Sequence, residues 1–116
     1  MTSLDRAVDF ETIKDEIVKS LIQLHPDRVV LFGSHVKGLQ NKESDIDLYV
    51  VTNDDFIPSN WQERNKLYLN ISKRLRRLRE LVAIDLIVHT KKMYEQHKQN
   101  RGSFFKYDIE EGLRLL

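Results

Sequence analysis

Apolar residues near the start of the chain recur at intervals of three and four, the spacing that places side chains on one face of an α-helix. This spacing predicts a helix over residues 9–24, with charged residues on its other faces. His25-Pro26-Asp27 should end the helix, because proline disfavours helical backbone at the residue before it. The apolar positions of the helix are Ile13, Ile17, Leu21 and Leu24.

Three short runs of apolar residues predict β-strands. Arg28–Phe32 is apolar after its first residue and includes two β-branched valines, which is typical of a buried strand. Asp45–Thr52 alternates instead, which predicts one apolar and one polar face. Val82–His89 repeats the alternation. In the second strand, Ile46, Leu48 and Val50 share one face, and Asp45, Asp47 and Tyr49 share the other.

The segments around the strands predict turns and further helices. Gly33-Ser34 should end the first strand, followed by a short helix or turn over residues 35–39 and a polar loop over residues 41–44. A long helix follows the loop at residues 53–60, with either Ser59 and Gln62 or Asn60 and Glu63 as its capping box. The apolar stripe of this helix is formed by Trp61, Tyr68, Ile71, Leu75 and Leu78.

The last part of the chain should add two shorter helices. Thr90 is a candidate cap for a helix that ends near His97, and Ser103 is one for a final helix. Gly112 should stop that helix and leave residues 113–116 as a tail or an edge strand. The element order predicts an α/β fold, with a small central mixed sheet flanked by helices in a single domain over residues 1–116.

Composition narrows the class of protein. The chain has 116 residues, with 19 Lys and Arg against 18 Asp and Glu. Its net charge of +1 argues against a dedicated nucleic-acid-binding protein, which would usually be strongly basic. It has no cysteine, so disulfides and thiolate metal sites are excluded. No signal-peptide pattern opens the chain and no apolar run approaches a membrane span, so we expect a cytoplasmic protein.

Three acidic residues carry the chemistry that the pattern predicts. Asp45 and Asp47 are two apart on a strand, so their carboxylates share one face and repel each other unless a cation compensates them. Ile84-Asp85-Leu86 repeats Ile46-Asp47-Leu48, so Asp85 joins the same surface if the two strands are neighbours. Carboxylate oxygens favour Mg²⁺, or Mn²⁺ as an alternative, and such a cluster suits a two-metal phosphoryl-transfer site.

The Gly33-Ser34 turn predicts the complementary phosphate-binding half of the site. Glycine permits close backbone approach to a ligand, and a hydroxyl beside free N–H groups suits phosphate. Lys37 and Lys42 lie near enough in sequence to neutralise triphosphate charge, although most surface lysines are only solvated.

These motifs together resemble a known family. The pattern resembles the polymerase-beta-like nucleotidyltransferase superfamily: Gly33-Ser34 is followed after ten residues by Asp45-Ile46-Asp47 and later by a further acidic residue on a strand. The sequence around these motifs is similar to that of the minimal branch of the superfamily. The resemblance implies that Asp45 and Asp47 ligate two metal ions and that Asp85 binds the catalytic ion. It also implies that Gly33 and Ser34 hold the β- and γ-phosphates. His35 departs from the arginine that is often present in the family.

The same resemblance implies a partner. Stand-alone members of this branch resemble the antitoxin of pairs whose toxin is a HEPN-domain ribonuclease, which implies transfer of AMP from ATP to a toxin tyrosine. The two proteins would then form a hetero-oligomer, although a homo-oligomer stays open. Two alternatives also stay open: transfer to a small molecule or an RNA end, and a non-catalytic module that neutralises its partner by contact.

Several other features have two interpretations. The run Lys73–Arg79 holds five basic residues in seven and is either a solvated helix face or a docking surface for an acidic partner or nucleic acid. His89 shares a strand face with Asp85, at the rim of the site or in a packing role. The remaining histidines show no metal-ligand spacing, and Phe104, Phe105 and Tyr107 are expected in the core or an interface.

Overall fold

The computed structural model describes residues 9–33, 45–100, 102 and 104–116. Strands and helices alternate along most of this length, and short 3₁₀ turns extend two of the helices, at Ile22–Leu24 and Lys73–Leu75. The elements are α1 (Phe10–Leu21), β1 (Arg28–Phe32), β2 (Ile46–Thr52), α2 (Trp61–Ser72), α3 (Arg76–Arg79), β3 (Ile84–Thr90), α4 (Lys91–Asn100), a π-helix (Phe104–Ile109) and β4 (Leu113–Arg114).

The described strands form one mixed sheet in the order β3-β2-β1-β4. β1 pairs antiparallel with both β2 and β4, whereas β2 and β3 run parallel. The two parallel strands are joined by a crossover through α2 and α3, as parallel pairing requires. This arrangement confirms the predicted α/β fold with a central mixed sheet flanked by helices.

The two faces of the sheet have different cores. On one face, here called the aliphatic face, branched aliphatic residues of the strands pack beneath α1, α2 and α3. On the other, here called the aromatic face, the strands pack beneath α4 and the π-helix. The strand residues of the aliphatic face are Val29, Leu31, Ile46, Leu48, Val50, Ile84 and Leu86, and the buried ones of the aromatic face are Val30, Phe32, Tyr49 and Val51.

Three helix starts are fixed by side-chain caps, of which the sequence predicted those at Asn60 and Thr90. Asp9 Oδ1 accepts the Thr12 N–H at 2.8 Å, and this contact lowers the pKa of the Asp9 carboxyl. Asn60 Oδ1 accepts the Glu63 N–H at 2.9 Å while Glu63 accepts from Ser59, so the Asn60–Glu63 alternative is correct. Thr90 Oγ1 accepts the Met93 N–H at 3.2 Å, which confirms the predicted cap of α4.

The long helix departs from its prediction in two ways. It is interrupted after Ser72 by a 3₁₀ turn, so α2 and α3 are separate segments. Trp61, expected in the apolar stripe, is 70% exposed. The stripe contacts the sheet only further along, where Tyr68 and Ile71 join the aliphatic core. The first turn of α2 therefore has no sheet residue to pack against, although its spacing fits the stripe.

The end of the chain also differs in detail. The final helix is a π-helix, in which the Glu110 N–H reaches the Phe105 carbonyl five residues back at 3.0 Å. Gly112 follows it, and β4 adds an edge strand beside β1, so the edge-strand alternative is correct. Ser103, its predicted cap, lies outside the described residues. In the described part of the chain, we find no helix long and apolar enough to cross a bilayer.

Candidate active site

The parallel pairing of β2 and β3 brings the predicted acidic residues to one corner of the sheet. Asp47 and Asp85 are direct register partners, so their side chains leave the same face of neighbouring strands, whose axes are about 4.8 Å apart. The Ile46 N–H donates to the Ala83 carbonyl at 2.9 Å, which ties the entrance of β2 to that of β3. Asp45 lies immediately before β2, two residues from Asp47, and so belongs to the same face of the sheet as Asp47. The inferred adjacency of the two strands is therefore confirmed, and Asp45, Asp47 and Asp85 are called the acid corner below.

Gly33 closes this corner from the side of β1. Its φ of 85° lies in the left-handed region that favours glycine, and Phe32 just before it is the register partner of Asp47. A Cβ at Gly33 would overlap Asp47 Oδ2 and stand 2.9 Å from Asp47 Cγ. The turn backbone therefore lies directly against the Asp47 carboxylate, and glycine is needed for both its conformation and its close approach.

Part of the predicted phosphate-binding half lies outside the described residues. Ser34, Lys37 and Lys42 belong to residues 34–44, as does His35. Their predicted contacts with a nucleotide stay predictions. Gly33 is the member of that half whose position the structure gives.

The acid corner has the donors for a divalent cation. Asp45 and Asp85 are exposed and Asp47 is half-buried, so ligands can reach all three from solvent. Hard carboxylate oxygens on adjacent strands fit Mg²⁺ or Mn²⁺ in donor chemistry and in backbone placement. Across the described residues, however, no three acidic or histidine side chains are gathered closely enough to enclose an ion. The backbone of the acid corner thus brings the three residues together, but their carboxylates do not surround a common metal position.

An aromatic cluster lies beside the acid corner on the aromatic face. Phe104 of the π-helix meets the edges of Phe32 and Tyr49, with ring centroids 5.4 and 5.9 Å apart and near-perpendicular planes. Phe32 and Tyr49 flank Asp47 on the strands. The prediction that Phe104 and Phe105 belong to the core or an interface is confirmed, whereas Tyr107 is 52% exposed.

Sequence reasoning missed a polar pair on this face. The Tyr49 hydroxyl and His89 Nδ1 are 2.8 Å apart, and the His89 ring stacks on that of His97 with centroids 4.9 Å apart. Burial raises the pKa of Tyr49 far above its usual value, so the phenol keeps its proton, and the tautomer of His89 sets which of the two groups donates. The one available signal was strand parity, which places His89 on the face of Asp85.

The environment of His89 keeps its imidazole neutral. Burial lowers the pKa of His89 to about 4, and the nearby charges of His97 and Arg64 add to that effect. His89 lies four strand residues beyond Asp85, roughly 13 Å along the axis. The histidine is therefore a packing and hydrogen-bonding residue of the aromatic face.

Comparison with known proteins identifies the fold and the family of the chain. A solved structure described as "Crystal structure of the toxin-antitoxin with AMP-PNP" has the same fold, with a TM-score of 0.50 and 22% identity. That match covers 89% of this chain and 72% of the other. No curated protein matched this chain. The family model described as "Polymerase beta, Nucleotidyltransferase" matches residues 11–108. The chain belongs to the polymerase beta nucleotidyltransferase family.

Proposed function

We propose that this protein is a Mg²⁺-dependent nucleotidyltransferase that moves AMP from ATP to a hydroxyl group of a protein partner. The observation that carries the proposal is the register of Asp47 with Asp85, closed on its other side by the Gly33 turn. This register places two carboxylates at one corner, in a chain whose family is defined by nucleotidyl transfer.

The proposed reaction is an in-line displacement at the α-phosphate of ATP. The acceptor oxygen forms a new bond to the α-phosphorus, and the bond from that phosphorus to the bridging oxygen of the β-phosphate breaks. AMP remains on the acceptor, pyrophosphate leaves, and the hydroxyl proton is lost to the carboxylate of Asp85 or to water. The chain contributes mainly by positioning and by electrostatic stabilisation.

Two metal ions would be held by Asp45, Asp47 and Asp85. When bound, they would supply positive charge to neutralise the phosphates and the attacking oxygen. Asp45 and Asp85 are exposed, so rotation of their side chains is unhindered by a surrounding core. Gly33, and by resemblance Ser34, would hold the β- and γ-phosphates through backbone N–H groups and a hydroxyl. Lys37 and Lys42 would add charge near the triphosphate.

The acceptor that we favour is a tyrosine of a HEPN-type toxin, with this protein as its antitoxin. The solved protein of the same fold is described as a toxin–antitoxin with AMP-PNP, an ATP analogue, and the sequence resembles the antitoxin branch of the superfamily. Both observations support an adenine nucleotide and a protein partner. Silencing would follow from the added AMP, which places a bulky anion on the toxin.

The alternative that the experiment has to separate is neutralisation of the partner by contact without turnover. The two functions differ in whether Asp45 and Asp47 are needed.

The deciding experiment incubates the purified protein with α-³²P-ATP, Mg²⁺ and lysate of the source cells. We expect a labelled protein band that disappears with Asp45→Asn/Asp47→Asn. The control variant is Asp15→Asn/Asp55→Asn, which removes the same two charges from exposed positions outside the acid corner and should label normally. Label in RNA or in a small molecule would replace the proposed acceptor. Neutralisation of the partner by the Asp45→Asn/Asp47→Asn protein, without label, would establish the contact mechanism instead.

A further inference from the structure

An open groove runs along the solvent side of α2, outside the acid corner. It has a volume of about 770 Å³ and is lined by both apolar and charged side chains. Trp61, Leu69 and Phe56 are 70%, 53% and 44% exposed, which is unusual for three large apolar residues on one surface. From Trp61 to Lys73 the groove wall spans about 18 Å of helix, room for roughly three turns of a partner helix.

The walls of this groove are held rigidly. The Thr90 hydroxyl, on a fully buried residue, donates to the Phe56 carbonyl at 2.6 Å, and the Lys91 N–H donates to the Asp54 carbonyl at 3.2 Å. The capping box of Asn60 and Glu63 fixes the first turn of α2 and therefore the position of Trp61. The apolar side chains are thus presented by a fixed framework, which reduces the entropy lost on binding.

The charge along the groove changes from balanced in its lining, which has two acidic and two basic residues, to positive beyond its Lys73 end. Lys66 and Lys73 line it, and the exposed Arg74, Arg76 and Arg77 continue from its end. Within the part of the chain that the structure describes, none of these five forms an ion pair with an acidic residue. The acidic lining residues are Asp54, which precedes α2, and Glu63, which lies in its first turn and accepts from Ser59. The end of the groove at Lys73 is therefore complementary to a partner with negative charge.

We propose that the groove docks an acidic amphipathic helix of the protein that accepts the nucleotide. Apolar anchors of such a helix, spaced three and four apart, would pack on Trp61 and Leu69, while its acidic residues face Lys66 and Lys73. This inference rests on the proposed function, because it names the surface that recognises the acceptor. Exposed large apolar side chains and a nearly neutral whole chain favour a protein over a nucleic acid.

The topology connects this surface to the acid corner. The basic run continues from the groove through α3, which ends at Arg79, and β3 begins at Ile84 beside Asp85. A partner that binds α2 and extends along the basic run therefore reaches the N-terminal end of β3. Docking there covers the helical layer of the aliphatic face and leaves the aromatic face, where the carboxylates emerge, open to the acceptor hydroxyl.

Binding is tested with a fluorescein-labelled, side-chain-stapled helical peptide of about 16 residues, with leucines at helical spacing and glutamates elsewhere. We expect a dissociation constant of about 10 µM, weakening as salt is raised. Leu69→Glu should weaken binding at least about tenfold, because it places a like charge at an apolar anchor. Its matched control is Leu81→Glu, since the two leucines are 53% and 54% exposed.

The charge argument has its own pair of variants. Lys73→Glu/Arg74→Glu should weaken peptide binding about tenfold at low salt, with the loss shrinking at high salt. Lys92→Glu/Lys98→Glu changes the charge equally on the exposed side of α4 and should bind as the wild type does. Equal binding by Leu69→Glu and Leu81→Glu would overturn the proposal. Tighter binding of the lysine version of the peptide, or of a polyadenylate oligonucleotide, would overturn it in favour of an acidic-patch or nucleic-acid surface.

Nucleotide transfer separates this inference from the proposed function. The Asp45→Asn/Asp47→Asn protein should bind the peptide normally and label nothing, whereas Leu69→Glu should lose both peptide binding and labelling of the lysate protein. Raising the concentration of the acceptor should restore labelling by Leu69→Glu, because its acid corner is intact. Wild-type labelling by Leu69→Glu would refute the docking role and keep the transferase. Groove-dependent peptide binding without any labelling would refute the transferase and keep the groove.

Discussion

The two faces of the sheet are built from alternate residues of the same strands, yet they differ in almost every physical property. The aliphatic face is formed by valine, leucine and isoleucine side chains beneath three helices. The aromatic face combines tyrosine, phenylalanine and histidine, and the acid corner opens at its edge. Titratable groups are therefore confined to one side of strands that also carry the main core.

This division allows stability and chemistry to be changed separately. Burial of aliphatic residues needs no hydrogen-bond partner, so the aliphatic face can be sealed completely. Burial of an unpaired carboxylate is costly, and Asp45 and Asp85 are exposed at the strand entrances, where water hydrates them. Strand periodicity of two keeps the requirements apart, because neighbouring residues point to opposite faces.

Neighbouring residues of β3 give the sharpest test of that separation. Asp85→Asn should reduce nucleotide transfer at least about 100-fold, the size seen when one group that stabilises a transition state is removed. Because the side chain is exposed, the free energy of unfolding should stay within about 0.5 kcal/mol of wild type. Initial rates of label incorporation and urea unfolding measure the two quantities. If Asp85→Asn transferred the nucleotide at the wild-type rate, Asp85 would have no part in the reaction.

The adjacent residue should show the opposite pattern. Leu86→Ala deletes a side chain that is 7% exposed in the aliphatic core and should lower the free energy of unfolding by about 3 kcal/mol. Transfer per folded molecule should be nearly unchanged, because Leu86 points away from the acid corner. Circular dichroism during urea unfolding gives the stability. A loss of rate in fully folded protein would show that the faces are coupled.

Gly33 joins the two requirements at one position. Gly33→Ala forces a Cβ into a left-handed backbone and against Asp47, which should cost about 2 kcal/mol of stability and reduce transfer. Gly102→Ala is the matched control, because nothing lies within 4 Å of a Cβ there. Thermal unfolding and labelling rates of both variants check the expectation. Identical behaviour of the two alanine variants would contradict the close approach of the turn to Asp47.

The last expected effect concerns pH and the aromatic face, and it changes stability without changing the acid corner. The folded-state pKa of His89 is about 4, below its usual 6.5, so between these values the unfolded chain binds a proton that the folded chain excludes. The free energy of unfolding should therefore fall by about 2 kcal/mol as pH drops from 6.5 to 4, less than full linkage because the ring is partly exposed.

Urea unfolding at several pH values tests this dependence. His89→Gln should have a flatter pH profile than the wild type. His25→Asn should keep the wild-type slope, because His25 is exposed and asparagine tolerates its left-handed backbone. An unchanged slope in His89→Gln would show that the stability change comes from other groups.

Sequence patterns predicted the structure correctly where it depends on residues close together in the chain. The caps at Asn60 and Thr90 were visible because short polar side chains bond to backbone N–H groups nearby in sequence. The interruption after Ser72 and the exposure of Trp61 were not visible. Both depend on where the sheet ends beneath α2, which is a property of packing between distant segments.

The sequence alone determined the chemical composition of the acid corner, because alternation of two places Asp45 and Asp47 on one strand face whatever surrounds them. It also determined the glycine turn before them and the opposite, aliphatic face of each strand. Only the tertiary structure decided that β3 lies beside β2 in the register that pairs Asp85 with Asp47. It alone also paired Tyr49 with His89 and left an apolar groove along α2 that continues into a basic surface. These features join residues far apart in the chain, and their contacts depend on long-range packing that local periodicity does not encode.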